Sequence, residues 1–161
     1  MCEWVKKHPS RKRQKDMFKK KFGIEIEFTG ITRNKASKVV SELLNGTITE
    51  TRDYYDTKVI TAPDSKRWKV MYDGFLRCQS KRNGEIVCAS RDYSCELVSS
   101  ILTYDEDINI LQEIVRALRK SGAFTNSSCG IHIHLDGADH DVRSIRNFIN
   151  IVTSRNDLLY N

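Results

Sequence analysis

Apolar and polar residues alternate through 22–29, "FGIEIEFT", as a half-buried β-strand requires. Ile24, Ile26 and Phe28 fall on one side of that strand, and Glu25 and Glu27 on the other. The spacing then becomes helical. Ala36, Val39, Val40, Leu43 and Leu44 share a face, with Thr32 placed to cap the start and Gly46 to stop the end. Segments 47–52 and 57–62 are rich in Thr, Ile and Val and read as short strands, and "WKVMYD" (68–73) reads as another. Asn83-Gly84 predicts a hairpin turn between two strands. "YSCELVSSIL" reads as a strand running into a loop. Asp105 opens a helix whose face carries Ile108, Leu111, Val115 and Leu118, with acids in its first turn, bases in its last, and Gly122 as its stop. "GIHIHLD" is the last strand. A final helix from about residue 140 is expected to bury Val142, Ile145, Phe148, Ile149 and Val152.

A long run of consecutive strands between helices predicts an α+β fold, an antiparallel-rich sheet backed by helices. At 161 residues and 39% hydrophobic content the chain suits one domain with a real core. No apolar run approaches the roughly 20 residues that span a bilayer, and the basic N-terminus has no apolar stretch behind it, so a cytoplasmic protein is expected. The net charge of +6 is unevenly spread. Residues 1–21 hold nine Lys/Arg and two acids, whereas the rest hold 18 bases and 19 acids. The excess therefore sits in an N-terminal arm, residues 1–21, expected to be solvated and flexible, ahead of a domain at 22–161. No aromatic interleaving within its basic run suggests base stacking, which argues against a nucleic-acid partner. The five cysteines form no C-x-x-C pair and are expected to be free thiols, with Cys88 and Cys95 as small core residues.

The chemistry lies in two strands built alike. Glu25 and Glu27 project from one face of the first, roughly 6.5–7 Å apart. His132, His134 and Asp136 share a face of "GIHIHLD", and Ile131, Ile133 and Leu135 take the other. Each strand alone reads as an amphipathic surface strand. Together, on backs expected to be buried, they point to a divalent cation site, for which carboxylates with an imidazole suit Mg²⁺ or Mn²⁺. Zinc is disfavoured, because Cys129 has no second cysteine near it.

"FGIEIEFTGITR", "WKVMYDGFL", "CELVSSIL" and "FTNSSCGIHIHLDG" come in an order that resembles the amidoligase family, carboxylate–amine ligases with the glutamine synthetase and glutamate–cysteine ligase fold. The resemblance covers roughly residues 22–155. It implies part of a glutamine synthetase-type catalytic domain and ATP-dependent amide formation through an acyl phosphate. ATP, a carboxylate and an amine (amino acid, peptide or cell-wall component) would be the partners. It further implies that Glu25 shares a metal with His132, that Glu27 binds a second metal with Glu96, and that His134 lies against the ATP phosphates. Asp73 resembles the family's substrate-side acidic position and is the candidate catalytic residue. The chain departs from the pattern at Gly74-Phe75, where a serine is expected nearby, and at Ser100, where proline is expected. Relatives continue well beyond the G-x-H-x-H strand, so a domain lacking its C-terminal part is expected. Two other readings compete: a truncated, inactive ligase-like binding module, and a metal-dependent hydrolase suggested by "HIHLD".

Overall fold

The computed structural model describes residues 19–157. Most of the basic arm, residues 1–18, lies outside that range. The strands β1 (Lys21–Phe28), β2 (Thr47–Glu50), β3 (Lys58–Thr61), β4 (Arg67–Met71), β7 (Cys95–Val98), β8 (Leu102–Thr103) and β9 (Ile131–Leu135) form one sheet. All its strand pairs are antiparallel, and its order runs β2-β3-β4-β7-β1. Phe22 pairs with Leu102 of β8 on one side and Leu135 of β9 on the other, so β8 continues the β7 edge of β1 while β9 forms the opposite one. Between β7 and β8 the chain bulges. There Ser99 Oγ accepts the Ile24 N–H at 2.9 Å and Ser99 N–H donates to Ile24 O at 2.9 Å, so β1 loses no backbone bond. Strands β5 (Gln79–Arg82) and β6 (Glu85–Cys88) form a separate hairpin. Its turn residues Asn83 and Gly84 have φ of 52° and 86°, the left-handed pair that Asn-Gly supplies with least strain.

Helix α1 (Arg33–Leu44) is capped as predicted at its start, where Thr32 accepts the Lys35 N–H. Its end is set one residue earlier than Gly46. Asn45 takes the left-handed conformation at φ 50° and its N–H returns to the last carbonyls. Helix α2 (Tyr104–Lys120) carries Asp105, Glu106 and Asp107 in its first turn, and buried Asp107 accepts the Thr103 N–H at 2.8 Å. Gly30, at φ 94°, is where β1 leaves the sheet. A Cβ there would meet Gly122 O at 2.4 Å, so only glycine fits.

Both helices lie on one face of the sheet. The core joins Ala36 and Val40 of α1 and Leu111, Ile114 and Leu118 of α2 to Phe28, Ile60, Trp68, Val70, Cys95 and Leu97 from the strands. Burial fades along one row of this face. Paired across β4, β7, β1 and β9 are Val70 (0% exposed), Leu97 (1%), half-buried Ile26 and Ile131 (63%). The row passes from beneath the helices to an uncovered edge. An open apolar groove of about 470 Å³, lined by Ile26, Phe28, Val115, Leu118 and Phe124, lies on the same side.

Three expectations are corrected here. Ile131, Ile133 and Leu135 are exposed rather than buried, because no helix among the described residues covers the back of β9. Helix α3 (Val142–Ser154) forms as predicted, capped by Asp141, but it buries none of its residues. Val142, Ile145, Phe148 and Ile149 are exposed and Val152 is half-buried. Cys88 is exposed, because β6 belongs to the outlying hairpin, whereas Cys95 is fully buried in the core.

Candidate metal centre

The face of the sheet away from α1 and α2 carries the polar pairs. Directly paired residues on neighbouring strands share a face, and the register pairs Glu27 with Glu96 and Glu25 with His132. With Glu25 and Glu27 two residues apart, four ligand-type side chains are pooled by strand pairing alone. His132 Nδ1 lies 3.2 Å from Glu25 Oε2 and its Nε2 lies 4.0 Å from Glu27 Oε1. His134 leans the same way, with Nε2 3.2 Å from Glu25 Oε1. It can do so because its cross-strand partner is Gly23, which presents no side chain.

Asp73 arrives from just beyond the end of β4. Buried Ser94 fixes its backbone, accepting the Asp73 N–H at 3.1 Å and donating to Asp73 O at 2.6 Å. Ser94 is fixed in turn by Arg33, a guanidinium only 3% exposed that donates to Ser94 O at 2.9 Å and Arg91 O at 2.7 Å and pairs with Asp56 at 2.9 Å. The Asp73 carboxylate accepts the Phe75 N–H at 2.6 Å in an Asx turn.

These side chains meet in two groups with one member in common. Glu25, Glu96 and His132 can bring one ligand atom each within 4.8 Å of one another, and so can Glu27, Asp73 and Glu96. Glu96 sits between them. Burial first, and then the charges of Glu25, Asp73 and Glu27, raise its pKa to about 6, with His132 opposing them. Such crowded carboxylates favour a cation over mutual repulsion, and the carboxylate-rich donor set with one imidazole suits Mg²⁺ or Mn²⁺. All six residues singled out from sequence thus lie in one region. His134 is the one that joins neither group, although it touches Glu25.

Sequence reasoning missed the groups that hold these side chains. Glu27 is 8% exposed, and its Oε2 accepts the Gly130 N–H at 2.7 Å. The loop before β9 comes against the start of β5 through Asn126, whose side chain donates to Arg77 O and Gln79 Oε1. The "TNSSCG" string marks this loop in the sequence. Nothing in the sequence marks Arg33 or Ser94, whose roles depend on distant partners.

Residues 19–161 match the sequence profile of the family described as "Putative amidoligase enzyme". No curated protein and no solved structure matches the chain.

Proposed function

Because the chain belongs to the amidoligase family, we propose that the polar face of its sheet binds ATP with two Mg²⁺ or Mn²⁺ ions and serves the joining of a carboxylate to an amine. The observation that carries this reading is Glu96, shared between two ligand groups on one rigid sheet. Glu25, His132 and Glu96 would hold one ion, and Glu27, Asp73 and Glu96 the other. When bound, such ions neutralise phosphate oxygens during phosphoryl transfer.

The chain's own residues prepare the face for that chemistry. Strand pairing holds Glu25, Glu27, Glu96 and His132 in register, which is more accurate than a loop can be. The Gly130 N–H occupies one oxygen of Glu27. Asp73, the candidate catalytic residue of the substrate side, also lies within reach of Glu27 and Glu96 and could serve as a ligand. His134, with a side chain 64% exposed, remains available to phosphate oxygens. The acid and the amine are an amino acid, a peptide or a cell-wall component.

The test has two arms. A few millimolar Mn²⁺ should raise the melting temperature, because a ligand that binds only the folded state stabilises it. Phosphate should be released from ATP in the presence of Mn²⁺ and a mixture of carboxylates and amines. Absence of any Mn²⁺ effect would remove the cation reading. Amide hydrolysis that needs metal but no ATP would replace the ligase with a hydrolase.

A further inference from the structure

Glu27 is held at a point that β1 alone does not determine. Its carboxylate Oε2 accepts the Gly130 N–H at 2.7 Å, and its own N–H donates to Gly130 O at 3.1 Å. Gly130 has no side chain to fix its backbone, so the direction of its N–H is set by the chain on either side. On the C-terminal side this is β9, already paired to β1. On the N-terminal side it is the turn that starts at Asn126.

The Asn126 carboxamide has two donor hydrogens and one acceptor oxygen, and every one is engaged. Its Nδ2 donates to Arg77 O at 2.9 Å and Gln79 Oε1 at 2.8 Å. Its Oδ1 accepts the Ser128 N–H at 2.9 Å and the Ser128 hydroxyl at 2.6 Å. The Cys129 N–H returns to Asn126 O at 3.0 Å and closes the turn, and Ser128 Oγ accepts the Arg77 N–H at 2.9 Å. Gln79 is tied back to the residues just after β1: its N–H donates to Thr29 Oγ1 at 2.8 Å, and its carbonyl accepts from Thr29 Oγ1 at 2.9 Å and Gly30 N–H at 3.0 Å. The contacts form a closed circuit from Glu27 along β1 to Thr29, to Gln79, to Asn126, through the turn to Gly130, and back to the Glu27 carboxylate. Asn126 is the side chain in that circuit that reaches Gln79 itself, and its acceptor end holds Ser128, which in turn accepts the Arg77 N–H.

We propose that Asn126 is a positioning residue for the Glu27 half of the site, acting through the Gly130 N–H. This rests on the two-cation reading for its consequence, but the link itself can be read without metal. An alanine at 126 removes these four bonds and the weaker Cys129 Sγ contact to Oδ1 at 3.7 Å. The turn then loses its tie to Gln79, the Gly130 N–H swings, and Glu27 is left with one carboxylate oxygen unsupported. Outer partners of this kind typically change metal affinity by about 10- to 100-fold.

The experiment compares the full chain with Asn126→Ala, Asn126→Asp and Ser127→Ala. Asn126→Asp keeps the oxygen and loses both donors. Ser127 contacts the Arg77 guanidinium and serves as a control outside the circuit. The first measurement is the Gly130 amide proton by NMR without metal. Its bond to a carboxylate should place it downfield in the parent and in Ser127→Ala, and upfield in both Asn126 variants. The second is Mn²⁺ affinity by titration, expected to fall about tenfold or more in the Asn126 variants and to hold in Ser127→Ala. A folded Asn126→Ala with an unmoved Gly130 amide overturns the proposal. So does an unmoved Gly130 amide in Asn126→Asp, which carries the test if the alanine variant does not fold. If the parent binds no Mn²⁺, the cation reading fails and the amide shift alone decides the positioning role.

Discussion

Glu25 and His132 are direct partners across β1 and β9, and His132 Nδ1 stands 3.2 Å from Glu25 Oε2. The other Glu25 oxygen faces His134 at the same distance, 3.2 Å. Only His132 also shares a ligand group with Glu96. The two histidines should therefore separate. His132→Ala should abolish most of the rise in melting temperature caused by Mn²⁺, while His134→Ala should keep that rise and lose the increment added by ATP. Equal losses from both variants in a thermal-shift titration would contradict the assignment.

Glu96 makes stability depend on pH in the absence of metal. Its pKa of about 6, raised chiefly by burial, lies above the ordinary carboxylate value of about 4.3 in an unfolded chain. Between those values the folded state binds more protons than the unfolded state, so this contribution to stability falls as pH rises through about 6. After allowance for solvent screening of a half-buried group, the loss from pH 4.5 to pH 7 is about 1 kcal/mol. Urea titrations should show Glu96→Gln without that part of the slope. A variant whose slope matches the parent would contradict it.

Arg33 should cost more than a surface arginine. Its guanidinium is 3% exposed and serves two carbonyls and two carboxylates. Arg33→Met should destabilise by about 3 kcal/mol, since it strips the buried Ser94 carbonyl and leaves Asp56 without its guanidinium partner. It should also weaken Mn²⁺ binding, because Ser94 holds Asp73. Loss of stability with unchanged Mn²⁺ affinity would disconnect the two.

Two large side chains should behave in opposite ways. Trp68 is 1% exposed at the centre of the core, and Trp68→Ala should cost about 3–5 kcal/mol. Phe148 is 64% exposed on α3, and Phe148→Ser should stay within about 0.5 kcal/mol. Denaturant midpoints decide both. A large cost at Phe148 would mean that its face is covered in solution.

The cysteines should differ in reactivity. Burial pushes the Cys95 thiol to about 12, and its Sγ is close to Ile31 O at 3.4 Å. Cys88 is exposed. A thiol reagent at pH 8 should label Cys88 in the folded chain and reach Cys95 only after denaturation, as peptide mapping would show. Early labelling at Cys95 would contradict its burial.

What could be read in the sequence was what nearest neighbours along the chain decide. The two-residue period of a strand put Glu25 with Glu27 and His132 with His134 before any pairing was known. Thr32, Asn83-Gly84 and the acids of α2 marked element ends through local hydrogen bonds and backbone preference. The family resemblance supplied Glu96 and Asp73, which no local pattern could.

The rest depended on which segments lie side by side. Only the register of β7 on β1 and of β9 on β1 places Glu96 between the two ligand groups. Only the placement of the 3₁₀ turn Arg91–Tyr93 beside α1 turns Arg33 from an ordinary first-turn residue into a buried anchor. The stripe on α3 and the apolar side of β9 were legible as amphipathic, yet both are exposed. Periodicity records that a segment has an apolar side. Whether that side is covered depends on contacts between residues far apart in the chain, and those exist only in the folded molecule.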